Sequence, residues 1–349
     1  MQGLRHAAGP AEELAGDYRW FPEDFRASRQ VLSFVFADRD ILTMQPFLDN
    51  RWNTQALPQR HATLESLARL IPVQGRAQAN FIWHTSFCCS TLLVRSLNIP
   101  GKCLALSEPM VLVSIADAKR AAAMEQGWRI SRLPDVVFRL LSRPECEGGA
   151  VVLKPSNFAN ILLSDAARLT AGKFLFLYSD LPGFLISVFK RGVSLRKYVR
   201  RLFSSLVYQL KDQLPWSQAE IFQMSDLEIA ALCWHYQIQE FRAAWPLLEP
   251  GRRASLDCEE FLARPVEVLE RLAAFYGVEA VRFSDVVNGP LFRHHAKDPA
   301  EPFDAARRAE EAAAMRRQLG KDLDRIIEWS YRACPTTPAC APLSGALAG

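Results

Sequence analysis

Residues 80–97 read NFIWHTSFCCSTLLVRSL, a pattern that predicts a buried strand, a tight turn and then a helix. The free N–H groups and partial positive charge at the start of such a helix can hold a phosphate without any cation. The turn contains neither glycine nor lysine. We therefore expect it to take a different shape from a glycine-containing phosphate loop. The alternative is a plain strand-to-helix connection in which Ser90 caps the helix.

The chain around this stretch alternates between buried strands and helices. That alternation predicts a three-layer α/β domain, with a mostly parallel sheet, right-handed crossovers and helices on both faces. Ligands bind such folds at the carboxyl ends of the strands. Four predicted strands end in polar residues, which supports a site there: His84-Thr85-Ser86, Ser107-Glu108-Pro109, Lys154-Pro155-Ser156 and Ser179-Asp180.

The sequence divides into four predicted segments. We expect residues 1–18 to be disordered and residues 19–75 to form a helical extension. Residues 76–332 form the α/β domain with its helical inserts, and residues 333–349 form a disordered tail.

The composition is typical of a globular protein, with 49% apolar and 23% charged residues in a chain of 349. No apolar run approaches the roughly 20 residues that span a membrane. The N-terminus lacks the apolar core of a secretory signal, so we expect a cytoplasmic protein with no membrane partner. A net charge of +4 fits an anionic small ligand and does not favour nucleic acid. The eight cysteines include no CxxC pair, which predicts reduced thiols and no metal site.

Three patches of the sequence resemble the sulfotransferase family, a branch of the P-loop NTP-hydrolase superfold. They are SFCCSTLLVRSL (86–97), KFLFLYSDLPGFLISVFKRG (173–192) and LDCEEFLARPVEVLERLAAFYGV (256–278). The third patch keeps the family's spacing intact, and SEP at 107–109 is similar to the xEP of many bacterial members. The resemblance covers about residues 79–278. It implies a P-loop NTPase-like parallel sheet, PAPS (3′-phosphoadenylyl sulfate) as the nucleotide cofactor, and transfer without a metal.

The resemblance also implies which residues form the site. The 5′-phosphosulfate would lie on the loop residues Ser86, Phe87, Cys88, Cys89, Ser90 and Thr91. The 3′-phosphate would lie on Ser179 and Ser187, and a basic segment near the nucleotide would contribute Arg293 and Lys297. The catalytic histidine that is frequent in the family has no clear equivalent here. From the residues at the strand ends themselves, we expect Lys154 to stabilise the departing phosphate and nominate His84 as the base.

The departures from the family pattern concern charge. Phe87 stands where the family has a lysine or arginine, Cys89 where it has glycine, and Ser179 where it has arginine. Lys154 could replace the missing loop cation, or it could simply pair with Glu108. Three residues could compensate for Ser179: Lys190, Arg191 and Arg196.

We therefore predict a sulfotransferase-like enzyme that transfers a sulfuryl group to a hydroxyl or amine of an unknown small molecule or peptide. One alternative is a catalytically impaired protein that binds a nucleotide or anion as a partner of another enzyme. A second is an ATP-dependent kinase in which Asp180 would hold Mg²⁺ through water. Cys88 and Cys89 are either small packing residues or thiols activated by the helix N-terminus.

Overall fold

A computed structural model describes residues 11–124, 132–210, 214–278, 281–295, 298–302, 305–337, 343 and 347. The N-terminal part of the chain forms a three-stranded antiparallel sheet of order β1-β2-β3 with short helices around it. Its elements are α1 (Ala11–Gly16), β1 (Trp20–Arg26), β2 (Val31–Phe36), α2 (Arg39–Met44), β3 (Gln59–Thr63) and α3 (Leu64–Leu70).

This N-terminal sheet corrects two predictions. Residues 11–16 are helical with Leu14 buried, so disorder up to residue 18 was wrong for the described part of that segment. The purely helical character of 19–75 was also wrong. The strand β2 reads VLSFVF, and a short apolar run of this kind cannot be assigned to strand or helix from periodicity alone. Its β-branched and aromatic residues fit a pleated, buried surface.

The buried side chain of Arg143 attaches the N-terminal helix to the rest of the protein. Its guanidinium donates to the carbonyls of Leu14 and Asp17 at 2.6 and 2.7 Å, and to that of Trp20 at 2.7 Å. The last carbonyls of a helix have no partner within the helix, and a cation there satisfies them and opposes the dipole. One arginine therefore holds the end of α1 and the start of β1 together.

The larger part of the chain is built on a five-stranded parallel sheet. Its strands are β4 (Ala79–His84), β5 (Cys103–Ser107), β6 (Ala150–Lys154), β7 (Phe174–Tyr178) and β8 (Arg253–Asp257). The helices that follow them are α4 (Ser90–Ser96), α5 (Met110–Met124), α6 (Leu133–Leu141), α7 (Leu163–Leu169), α8 (Leu181–Lys190), α9 (Val193–Leu210), α10 (Gln218–Gln223), α11 (Asp226–Ala244), α12 (Cys258–Ala263) and α13 (Pro265–Tyr276).

The strand order is β5-β6-β4-β7-β8, which confirms the predicted α/β fold with a P-loop-like parallel sheet. Side chains alternate between the two faces: Phe81 and Trp83 pack with α5, α6 and α11, whereas Ile82 packs with α4 and α13. The first strand of the sheet lies at its centre, because the chain goes to one side for β5 and β6 and returns to the other side for β7 and β8. The carboxyl end of β4 is therefore the topological switch point where ligands bind such sheets.

The remaining elements are α14 (Phe283–Val287), α15 (Pro290–Arg293), the two short strands β9 (His294–His295) and β10 (Asp298–Pro302), and α16 (Ala305–Ala333). Of the tail that was expected to be disordered, 333–349, residues 333–337, 343 and 347 are described, and Cys334, Leu343 and Leu347 are buried, so disorder was wrong for this described part. The Leu347 N–H donates to the carbonyl of Ser255 on the edge strand β8 at 3.0 Å. Within the described ranges, no helix has the length and apolar character that crossing a membrane requires.

Acid should destabilise the fold through His235, which is fully buried between α11 and α16. Its Nε2 lies 2.9 Å from Ser330 Oγ, and burial lowers its pKa from the ordinary 6.5 to about 4. The folded protein holds the ring neutral, whereas the unfolded chain protonates it below its ordinary pKa. The stabilisation should therefore be complete above pH 6.5 and decrease toward pH 4, by on the order of 3 kcal/mol.

Urea unfolding at several pH values between 7.5 and 4 measures this effect. The variant His235→Phe cannot titrate, so its stability should fall less over the same range. An equal loss of stability in both proteins would assign the acid sensitivity to other groups.

Candidate functional site

The turn after β4 has an unusual backbone. Ser86, Phe87 and Cys89 have φ angles of 72°, 54° and 58°, in the left-handed region, and none of them is glycine. Cys89 therefore adopts a positive φ at the predicted glycine position although it is not glycine, and the expected difference in shape from a glycine-containing loop stays a prediction. Such conformations cost on the order of 1–3 kcal/mol each in ordinary residues and persist only where other contacts hold them.

The helix α4 begins without a side-chain cap. Its N-cap residue is Cys89, not Ser90 as the structural alternative assumed, and the Cys89 side chain makes no capping hydrogen bond. The first N–H groups of the helix, including those of Ser90 and Thr91, have no partner within the helix itself. The Ser86 N–H, which was predicted to bind the phosphosulfate, instead donates to His84 Nδ1 at 3.1 Å.

Phe87, which replaces the cation of the loop, packs between two helices. Its ring centroid lies 5.4 Å from that of Phe184 on α8 and 6.0 Å from that of Tyr198 on α9. The aromatic ring therefore anchors the loop through packing, where a lysine would bring charge to the ligand. Cys88 is fully buried, and burial raises its pKa to about 12, so it stays a thiol and fits the packing alternative.

Lys154 lies at the end of β6 with its side chain fully buried. Its Nζ bonds to Glu108 Oε1 at 2.5 Å and lies 3.3 Å from Ser107 Oγ. Of the two alternatives for Lys154, the structure shows the pair with Glu108. Glu108 has a φ of 54° although it precedes a proline, a second strained position at a strand end.

The N-terminal part of the chain reaches this ion pair. Leu48 donates its N–H to the Ser107 carbonyl and accepts from the Met110 N–H, both at 2.8 Å, which fixes residues 47–51 beside the end of β5. From there, Arg51 stacks on Phe47 and approaches Glu108 Oε2 at 3.4 Å. Residues 19–75 therefore border the candidate site, which the sequence had left open.

Tyr198 contacts the loop from α9. Its hydroxyl lies 3.4 Å from Ser86 Oγ, and burial, with the Glu108 carboxylate, raises its pKa well above the ordinary value. The hydroxyl therefore remains protonated. Sequence analysis missed Tyr198, because it lies on a helical insert that carries no recognisable motif.

At the end of β7, Ser179 is buried and its Oγ has no hydrogen-bond partner among the described residues. Ser187 is half-buried on α8. Asp180 accepts from the Gly183 N–H at 2.8 Å and caps α8, the structural role that the family resemblance implies for this acid. Within the described ranges, no group of three or more His, Cys, Asp or Glu side chains could hold a metal ion.

Two of the three basic residues proposed to compensate for Ser179 have carboxylate partners of their own. Lys190 pairs with Glu311 at 2.5 Å, and Arg196 pairs with Asp226 at 3.3 Å. Arg293 is exposed on α15, which packs beside α4. The remaining predicted residue, Lys297, lies outside the described residues.

Among solved structures, the chain is similar to three sulfotransferases at low sequence identity. The sulfotransferase domain from the curacin biosynthetic pathway is 15% identical and covers 70% of this chain and 98% of its own length, with a TM-score of 0.45. The sulfotransferase from Alicyclobacillus acidocaldarius is 14% identical, with coverages of 75% and 96% and a TM-score of 0.35. The sulfotransferase domain of the Synechococcus PCC 7002 olefin synthase is 14% identical, with coverages of 74% and 96% and a TM-score of 0.36.

No family model matches the sequence, and no curated protein matches it. We therefore base the functional proposal on this chain's own loop and side chains.

The ion pair of Lys154 and Glu108 should behave as one unit when mutated. Lys154→Met leaves the half-buried Glu108 carboxylate with Arg51 as its remaining ion-pair partner among the described residues. Breaking a buried pair costs about 3–5 kcal/mol. The double variant Lys154→Met/Glu108→Gln removes both charges and should recover most of that loss. Urea unfolding of the two single variants and the double variant measures the coupling.

Lys190→Met is the matched control, because Lys190 and its partner Glu311 are more exposed, at 23% and 39% of their side chains. Exposed pairs contribute about 0–1 kcal/mol, so this variant should lose little stability. Purely additive effects at Lys154 and Glu108 would contradict the coupling.

Proposed function

We propose that the protein is a sulfotransferase-like transferase that binds a PAPS-type nucleotide at the carboxyl edge of its parallel sheet. The observation that carries this proposal is the strained turn of Ser86, Phe87 and Cys89, directly before an uncapped helix, at the switch point of the sheet. Backbone strain is characteristically retained at ligand sites, and backbone amides in such turns form anion-binding concavities.

The donor nucleotide would be held mainly by dipoles and hydroxyls. The N–H groups at the start of α4, with the hydroxyls of Ser90 and Thr91, would bind the phosphosulfate. Ser179 Oγ is buried without a partner among the described residues, and Ser187 lies on the next helix. A buried hydroxyl without a partner costs about 1–3 kcal/mol, so a 3′-phosphate at this position would supply the missing bond.

Glu108 and Lys154 are the groups best placed for transfer chemistry. A base must reach the acceptor's proton, and Glu108 lies at a strand end beside Tyr198 and Arg51. We assign the base to Glu108 rather than to His84, because the buried His84 ring accepts a hydrogen bond from the Ser86 N–H. Lys154 would supply the positive charge that stabilises the departing phosphate. The acceptor would be a hydroxyl or amine beside this pair.

A second candidate function is favoured by two specific observations. Phe87 packs as an aromatic anchor where a cation would help catalysis, and Glu108 neutralises Lys154. Both features fit a protein that binds the nucleotide or another anion without transferring a group. The kinase alternative is less well supported, since the Asp180 carboxylate caps α8.

Thermal stability with different ligands separates these functions. We expect adenosine 3′,5′-bisphosphate to raise the melting temperature without Mg²⁺, because both phosphates would find partners. A response to ATP that requires Mg²⁺ would instead support a kinase. Release of the bisphosphate from PAPS in the presence of candidate acceptors then distinguishes an enzyme from a binding protein.

The double variant Ser90→Ala/Thr91→Ala should weaken bisphosphate binding about tenfold, which corresponds to about 1.4 kcal/mol. Calorimetric titration measures the change. Ser204→Ala/Ser205→Ala on α9 is the control, since these hydroxyls bond to carbonyls of their own helix. Unchanged affinity in the loop variant would remove α4 from the site.

Restoring the loop cation tests what Phe87 has replaced. Phe87→Lys should increase bisphosphate affinity about tenfold through charge, and Phe87→Leu, which removes the ring alone, should not. If PAPS turnover occurs only in the lysine variant, the natural protein is a binder. If the lysine variant binds no more tightly than the leucine variant, position 87 does not face the ligand.

A further inference from the structure

We propose that Asn157, supported by Gln237, is the positioning residue that holds the phosphate loop in its left-handed shape, the task that glycine performs by its own flexibility. That the loop binds a phosphate rests on the proposed function. That Asn157 holds the backbone of the loop can be tested without any ligand. Asn157 and Gln237 touch the loop, and they act on a ligand only through the backbone that they hold.

The Asn157 side chain bonds to two residues of the turn at once. It lies just after β6 and is 2% exposed. Its Oδ1 accepts from Ser86 Oγ at 2.6 Å, and its Nδ2 donates to the His84 carbonyl. The same Nδ2 also donates to Gln237 Oε1 at 2.6 Å. A single amide group therefore fixes the residue that ends β4 and the first left-handed residue.

Gln237 holds the next peptide of the turn from α11. It is fully buried, and its Nε2 donates to the carbonyls of Thr85 at 3.3 Å and Cys233 at 3.1 Å. The carbonyls of His84 and Thr85 are thus both bound by side chains from other parts of the chain. Buried carbonyls need such partners, so their orientation is fixed. With these carbonyls turned inward, the following residues pass into the left-handed region and lead to the amides of α4.

This network explains how a turn without glycine keeps a shape that favours glycine. Ser, Phe and Cys residues return to negative φ angles when nothing prevents it, because their Cβ atoms crowd the backbone in the left-handed region. A buried donor or acceptor left without a partner costs free energy. Relaxation of the turn would break its bonds to Asn157 and Gln237, and this cost opposes it. Removing the network should therefore release the loop, and adding glycine should compensate.

Hydrogen exchange of the loop amides tests the positioning role. In Asn157→Ala we expect the amides of residues 85–91 to exchange at least tenfold faster, while those of α13 keep their rates. Bisphosphate affinity should fall at least tenfold. Adding Cys89→Gly to this variant should restore part of the exchange protection and part of the bisphosphate affinity, since glycine adopts the left-handed conformation without crowding. A loss of packing alone would not be corrected by glycine at residue 89.

Asn160→Ala is the matched control. Asn160 is buried in the same short segment, but it donates to Glu240 Oε2 at 3.2 Å, away from the loop. In Asn160→Ala, the amides of residues 85–91 should exchange at the same rate as in the natural protein. Gln237→Met preserves volume and serves as a second variant if Asn157→Ala does not fold, with the same pattern expected.

Three outcomes are decisive. Unchanged loop exchange in both Asn157→Ala and Gln237→Met would overturn the proposal. Failure of Cys89→Gly to restore exchange protection would also overturn it. If the natural protein binds no bisphosphate while the exchange results follow the expected pattern, the proposed function fails and the positioning role stands.

Discussion

The left-handed turn between the central strand and its helix is the constraint around which the site is organised. It occurs at the switch point of the sheet, and it is held from three directions. Asn157 and Gln237 bind its carbonyls, Phe87 is packed between α8 and α9, and Cys88 donates to the Leu177 carbonyl of β7. These contacts fix the turn in one backbone shape, as the proposed orientation of its amides toward a ligand requires.

Four basic residues that border the candidate site or were predicted for it have carboxylate partners: Lys154 with Glu108, Arg51 with Asp49, Lys190 with Glu311, and Arg196 with Asp226. An anion would therefore be attracted by helix dipole and hydroxyls more than by net charge. Because backbone dipoles of fixed orientation need little reorganisation when a ligand binds, they would compensate partly for the absence of a lysine from the loop.

The fold was predictable where the sequence pattern is local. Strands such as FLFLY are continuous apolar runs, which a parallel sheet buried on both faces requires. The N-terminal sheet was missed because VLSFVF has no distinguishing period. The strand, the turn and the helix were located correctly, but the left-handed φ angles of the turn were not predicted. The side chains that bond to the turn are distant in sequence: Asn157 lies 71 residues from Ser86, and Gln237 lies 80 residues from Asn157. Contacts over such separations leave no pattern in a single sequence.

The Glu108–Lys154 pair bears on both candidate functions. Buried ion pairs contribute little to stability, and apolar replacements are often as stable, so stability alone does not explain a fully buried lysine at a strand end. The positive φ of Glu108 and its contact with Arg51 both fix the carboxylate where β5 and β6 end. In a protein that only binds an anion, this carboxylate would neutralise Lys154 and weaken the attraction for the ligand. In the proposed transferase the same carboxylate would act as the base, and the N-terminal segment that carries Arg51 would help to position it.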